Sequence, residues 1–152
     1  MAGHGPKLVI DATDLAVTIL VTSWHTEITD ALLAGAERAL KAAGNDVYTV
    51  VRVPGAFELP LAAKWAAEDD AEAIIALGVV IQGDTPHFDY VCDAATQGLT
   101  QVQLEYGVPI GFGLLTVDNA QQALDRAGLA NSKEDKGAEA VEAAITMARL
   151  RS

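Results

Sequence analysis

AIIALGVVI, residues Ala73–Ile81, runs straight into QGDTPHFDYV, residues Gln82–Val91, and the passage from one to the other decides the fold. An uncharged run rich in branched side chains, without polar alternation, is the pattern of a strand buried on both faces of a sheet. It ends among Gly, Asp, Thr, Pro and His, and a helical pattern, YVCDAATQGLTQVQLE, begins at once. The same step recurs along the chain. LAVTILVT (Leu15–Thr22) leads into a helix whose Ile28, Leu32, Ala36 and Leu40 fall at spacing four, with Thr26 as its expected N-cap and an end near Gly44. DVYTVVRV (Asp46–Val53) leads through PGAFELP into LAAKWAAE, and VPIGFGLLT (Val108–Thr116) leads into NAQQALDRAG. After the polar loop LANSKED comes a last helix with Ala138, Val141, Ile145 and Ala148 on one stripe.

Strands that alternate with helices predict a parallel sheet covered on both faces with right-handed crossovers, a doubly wound, flavodoxin-like α/β domain of four strands. Such sheets take ligands beyond the carboxyl ends of their strands. Four segments lie there: SWH (Ser23–His25), PGAFE (Pro54–Glu58), QGDTPHFD (Gln82–Asp89) and TVDN (Thr116–Asn119). Nearly all the unusual chemistry of the chain falls in them.

With 152 residues, 51% of them hydrophobic, the chain is long enough for one core that folds without staples. Its 21 acidic and 10 basic residues give a net charge of -11, which repels nucleic acid and anionic membrane surfaces. The single Cys92 cannot form an intrachain disulfide. The start MAGHGPK, followed by apolar residues broken by Asp11 and Asp14, is unlike a signal peptide, and a cytoplasmic protein is the expectation. No apolar run approaches the ~20 residues of a membrane span.

Each candidate residue has two readings. His87, placed in a loop two residues before Asp89, is either an imidazole oriented by a carboxylate for proton transfer or a surface or capping His. Gly83, Asp84 and Thr85 either present backbone N–H groups and a hydroxyl to an anion or form an ordinary turn. The absence of a Walker-type Lys there argues against a nucleoside triphosphate site. Trp24 and Phe57 suit a platform for a flat heterocycle or packing against a helix, and Glu58 suits a ligand N–H or a helix cap. Arg126, near a helix end, is a solvated cation favoured by the dipole or a fork for phosphate. Lys136 opens the last helix, where a cation is unfavourable, and so asks for an anionic partner.

Taken together, SWHTEITDALLAGA, VPGAFELP, GVVIQGDTPHFDYV, FGLLTVDNAQQALDRAG and DKGAEAVEAA resemble the lumazine synthase family, whose members carry out the penultimate step of riboflavin biosynthesis. The likeness is collinear over nearly the whole chain, and it gives an expected N-terminal arm over residues 1–13 and a single lumazine synthase domain over 14–152. It implies a transferase that condenses 5-amino-6-(D-ribitylamino)uracil with 3,4-dihydroxy-2-butanone 4-phosphate to 6,7-dimethyl-8-ribityllumazine, phosphate and water, without cofactor or metal. By the same resemblance His87 assists proton transfer, Arg126 binds the departing phosphate, and Gly83, Asp84 and Thr85 help hold it. Trp24 stacks on the pyrimidine, and Ala56, Phe57, Glu58, Val80 and Ile81 line the pyrimidine and ribityl pocket. Phe112 matches an aromatic contributed by a neighbouring subunit, and Lys136 a Lys on the phosphate side.

The sequence departs from the family pattern in three places. Trp24-His25 stands where Phe-Asn is common, Gln82 replaces an Arg beside the phosphate loop, and Val117 replaces a second Thr. Family members form pentamers with active sites between subunits, and some pentamers join into decamers or shells. The loop LANSKED is slightly longer than in many shell formers, so a homopentamer is expected. Two other classes fit parts of the pattern: a flavodoxin-like module that holds a flavin or lumazine without turnover, and a shell protein with a decayed site. The presence of both His87 and Arg126 favours the enzyme.

Overall fold

Parallel strands β1 (Val17–Thr22), β2 (Thr49–Val53), β3 (Ala73–Ile81) and β4 (Ile110–Val117) form one sheet in the order β2-β1-β3-β4. The computed structural model describes residues 8–151, so residues 1–7 of the expected arm, and residue 152, lie outside the described residues. β3 fills the stretch the sequence assigns to it and is buried from Ala73 to Val79. β2 is shorter than expected because its pairing with β1 begins at Thr18 and Thr49, while the N–H of Val47 donates to Asn45 Oδ1, 3.1 Å away. β2 is an edge strand, exposed everywhere but at Val53.

α1 (Thr26–Ala42) and α5 (Lys136–Arg149) cover one face of the sheet; α2 (Leu59–Glu68) and α3 (His87–Tyr106) cover the other. The short α4 (Ala120–Leu124) follows β4. The alternation of side chains along a strand divides the core in two. Ile75 and Leu77 join Ile28, Leu32, Leu40, Val141 and Ile145 on the α1/α5 face. Ile74 and Ala76 join Leu59, Ala63, Ala95 and Leu99 on the other.

Three local expectations are revised. Thr26 does not cap α1: His25 stands at the N-cap with left-handed backbone (φ 56°, ψ 64°), because the strand turns into the helix too sharply for an extended residue there. Its carbonyl accepts the N–H groups of Ile28 and Thr29 at 2.9 and 3.0 Å. The α5 stripe is centred on Gly137, Ala140, Val141, Ala144 and Ile145, leaving Ala138 and Ala148 at its margins. His87 lies in no loop: α3 starts with it, behind Pro86, whose fixed φ suits a helix entry. Because all four strands run in parallel, their carboxyl ends reach one rim, where the connections to α1, α2, α3 and α4 begin.

Candidate active site

At that rim a cavity of about 630 Å³ is enclosed by the end of β3, the first turn of α3 and the connections after β1 and β2. The connection after β1 is the short Ser23–His25 strap. Ser23 is tied to the neighbouring connection through its N–H to Pro54 O (3.3 Å) and its hydroxyl to Val53 O (2.8 Å). The strap therefore presents Trp24 to the cavity, 67% exposed, with the His25 ring 6.4 Å away between centroids. After Gly55 a single 3-10 turn, Ala56–Glu58, carries Phe57 and Glu58 to the same opening before α2 begins. Glu58 makes no capping hydrogen bond to α2, so its carboxylate remains available to the cavity. Val79, Val80 and Ile81 form the apolar floor.

His87 faces this cavity from the first position of α3. Asp89 does not orient its imidazole. Two residues along a helix lie roughly 200° apart around the axis, and no hydrogen bond or ion pair joins the two side chains among the described residues. Tyr90 and Val91, one helical turn beyond His87, complete the wall. The sequence reading passed over them, although spacings of three and four from His87 place them on its side of α3.

Of the residues singled out from the sequence, Trp24, Ala56, Phe57, Glu58, Val80, Ile81 and His87 are thus brought together. Gly83, Asp84 and Thr85 occupy the exposed link between β3 and α3 and adjoin this cavity without lining it. Thr85 Oγ1 accepts the His87 N–H at 3.4 Å, so the link ends at the positive pole of a long helix, where an anion is favoured. A Cβ at Gly83 would meet nothing within 4 Å, so packing does not demand glycine there.

Phe112, Arg126 and Lys136 are elsewhere. They line a second cavity of about 630 Å³ between β4 and α5. Arg126 lies just past α4, its Nη1 donating to the Gln122 carbonyl at 2.7 Å, the helix-end contact that the simpler reading of this residue anticipates. No carboxylate pairs with it among the described residues, so much of its fork remains for an anion. Lys136 has the anionic partner its position asks for, but within the chain: Nζ is 3.0 Å from the Glu134 carboxylate and 3.2 Å from that of Glu139. Burial disfavours its charge; hydrogen bonds to the two carboxylates outweigh that and hold its pKa above the ordinary value. The LANSKED loop is folded back by Lys133 and Glu134 N–H groups on Asp125 O, at 2.8 and 3.0 Å, and by Lys136 N–H on Arg126 O at 3.0 Å. The two cations are neighbours for that reason.

One cavity thus offers an aromatic platform, a carboxylate and an imidazole, suited to a flat heterocycle bearing N–H groups and to proton transfer. The other offers a guanidinium that pairs with no carboxylate among the described residues, beside an aromatic, suited to a phosphate. Neither contains both His87 and Arg126.

The family model for 6,7-dimethyl-8-ribityllumazine synthase matches residues 14–152. Proteins of that name are similar over almost their whole length. One from Kineococcus radiotolerans is 61% identical, with 99% of this chain and 95% of the relative covered. One from Clavibacter sepedonicus is 60% identical (99% and 96%), and one from Streptomyces coelicolor is 56% identical (100% and 96%).

Proposed function

Because the chain belongs to the 6,7-dimethyl-8-ribityllumazine synthase family, we propose that it is a transferase of riboflavin biosynthesis. It condenses 5-amino-6-(D-ribitylamino)uracil with 3,4-dihydroxy-2-butanone 4-phosphate, giving 6,7-dimethyl-8-ribityllumazine, phosphate and water. The observation that carries this reading is the convergence of Trp24, Phe57, Glu58 and His87 on one cavity at the carboxyl rim of the sheet. The pyrimidine stacks on Trp24, Glu58 accepts its N–H, and the ribityl chain runs over Val80 and Ile81 beside Ala56. The butanone phosphate lies at the entry of α3, against Gly83, Asp84 and Thr85, with Arg126 closing on the phosphate and Lys136 behind it.

Amine addition to the ketone, dehydration to an imine, loss of phosphate, ring closure and a second dehydration use nucleophiles that the substrates carry. What the protein must supply is alignment of two reactants and movement of protons. His87 moves the protons without help from Asp89. The guanidinium of Arg126 stabilises the departing phosphate through charge-assisted hydrogen bonds.

The separation of His87 from Arg126 supports a site made between subunits, each chain giving its Trp24/His87 cavity to one neighbour and its Phe112/Arg126 cavity to the other. Phe112, 49% exposed, then becomes a wall of the neighbour's pocket. The assembly proposed is a homopentamer, in the cytoplasm, of one domain per chain over residues 14–152 with residues 1–13 as an arm. No helix among the described residues is long and apolar enough to cross a membrane.

The test is product fluorescence from the two substrates, with His87→Ala and Arg126→Ala beside the unmodified chain. Each variant loses ~10-fold or more in kcat/KM. An unmodified chain that folds and assembles but forms no product defeats the reading in favour of a binding module or an inactive shell. Light scattering checks the assembly: a mass near that of about sixty chains sinks the pentamer.

A further inference from the structure

Trp24 is the exposed platform of the proposed site, yet its indole makes no hydrogen bond among the described residues, and besides its seat over Gly55 it takes its orientation from the strap beneath it. Arg52, on the edge strand β2, spans the two stems of that strap. Its Nη1 donates to the Thr22 carbonyl (3.1 Å), the last residue of β1, and to Thr29 Oγ1 (3.4 Å) in the first turn of α1. Its Nη2 donates to the Asp30 carboxylate. Thr22 precedes Ser23-Trp24-His25 and Thr29 follows it, so one planar guanidinium holds both ends of the loop that carries the indole.

Arg52 does not line the cavity, and its side chain is 37% exposed beside a 63% exposed Asp30. So exposed an ion pair contributes little to global stability, and the local order it imposes is the larger effect. A lysine offers a compact point charge on a flexible stem, whereas the guanidinium is a rigid planar fork whose donors hold several partners in fixed directions.

We infer that Arg52 is a positioning residue for the reaction, clipping the base of the Ser23–His25 strap so that Trp24 is held ready for the pyrimidine. This rests on the function proposed above.

The chain has two tryptophans, Trp24 and Trp65, so a Trp65→Phe background leaves Trp24 as the sole indole reporter. In that background Arg52→Met is expected to raise KM for the ribitylaminouracil about 5- to 20-fold while kcat stays within about twofold, and Arg52→Lys to recover part of the loss. Trp24 fluorescence anisotropy falls in step with the rise in KM. An unchanged KM overturns the inference, and so does a raised KM with unchanged anisotropy, because the indole has then not been loosened. If Arg52→Met does not fold, Asp30→Asn carries the test, with an expected rise in KM of about 2- to 5-fold and the same anisotropy criterion. Should the unmodified, assembled chain itself make no product, the proposed function fails, and anisotropy in the Trp65→Phe background alone still judges the clip.

Discussion

The indole of Trp24 lies over Gly55, so that a Cβ added at residue 55 would come within 3.3 Å of Trp24 Cδ1 and 3.4 Å of Glu58 Oε1. The Gly55 backbone is extended (φ -155°), a conformation open to any residue, so what glycine provides there is space. Gly55→Ala therefore pushes the indole and the Glu58 carboxylate outward by a few tenths of an ångström. Trp24 is exposed enough to yield, so the melting temperature should hardly move. Binding of a pyrimidine between those two groups should weaken by roughly 3- to 10-fold, measured by titration of the lumazine product against tryptophan fluorescence.

His25 turns the chain from β1 into α1 with a positive φ of 56°. Asn and His are the non-glycine residues that enter this region most readily, along with Asp. A His in place of the family's common Asn therefore preserves the turn, whatever it adds to the pocket. His25→Asn should leave thermal stability near that of the unmodified chain, whereas His25→Ala should cost about 1 kcal/mol by denaturant unfolding, since a Cβ without a local polar partner resists the left-handed region.

Apolar periodicity is where the sequence was most legible: Ala73–Ile81 is a strand to the residue, and Ile28, Leu32, Ala36 and Leu40 all pack inward, because burial on this fold repeats at the periods of strand and helix. Boundaries set by single contacts were less so. Whether His87 ends a loop or begins a helix depends on where Pro86 fixes the backbone, and that one step removes Asp89 from its side. Trp24, Phe57, Glu58 and His87 of the first cavity were legible because they follow strand ends that a parallel sheet gathers at one rim. That Arg126 faces a different cavity was not, because spacing along β4 and α4 does not tell on which side of the rim a side chain emerges. Gly55, Tyr90 and Arg52 act through packing and through hydrogen bonds to backbone carbonyls, which residue type alone does not disclose.

Asn45 is 1% exposed and fully occupied: its Nδ2 donates to Ala12 O (3.0 Å) and Leu15 O (2.8 Å), and its Oδ1 accepts from Val47 N. It fastens the end of α1 to the segment that enters β1. Asn45→Ala takes this partner from the Leu15 carbonyl and the Val47 N–H, while Ala12 O keeps the Leu15 N–H at 3.2 Å, and chemical denaturation should show a loss of about 1–3 kcal/mol, with activity per folded molecule unchanged.

Tyr48 donates its hydroxyl to the Glu37 carboxylate, joining the approach to β2 to α1. Burial, that hydrogen bond, and the charges of Glu37 and Asp46 push its pKa up from 10.0 to about 12. The fold thus prefers the protonated phenol, a contribution fully present below pH 10.0 and lost as pH rises toward about 12. Phenolate absorbance of the unmodified chain minus that of Tyr48→Phe should titrate near the upper end of this range. A difference curve centred at the ordinary tyrosine value would show that the contact does not persist in solution.

If the site is shared between subunits, His87→Ala and Arg126→Ala injure it from opposite sides. A homopentamer of either variant has no intact site. In mixed rings, an Arg126→Ala chain contributes an intact His87 cavity, and a His87→Ala chain beside it contributes an intact Arg126. When equal amounts of the two are unfolded and reassembled together at random, a given site receives the intact half from each side in about one case in four. Product formation should therefore return to roughly a quarter of that of the unmodified chain treated alike, although each variant alone keeps about a tenth or less. Co-assembly without any recovery would mean that both residues serve a site from one subunit. The imidazole and the guanidinium would then have to meet through a movement of the LANSKED loop.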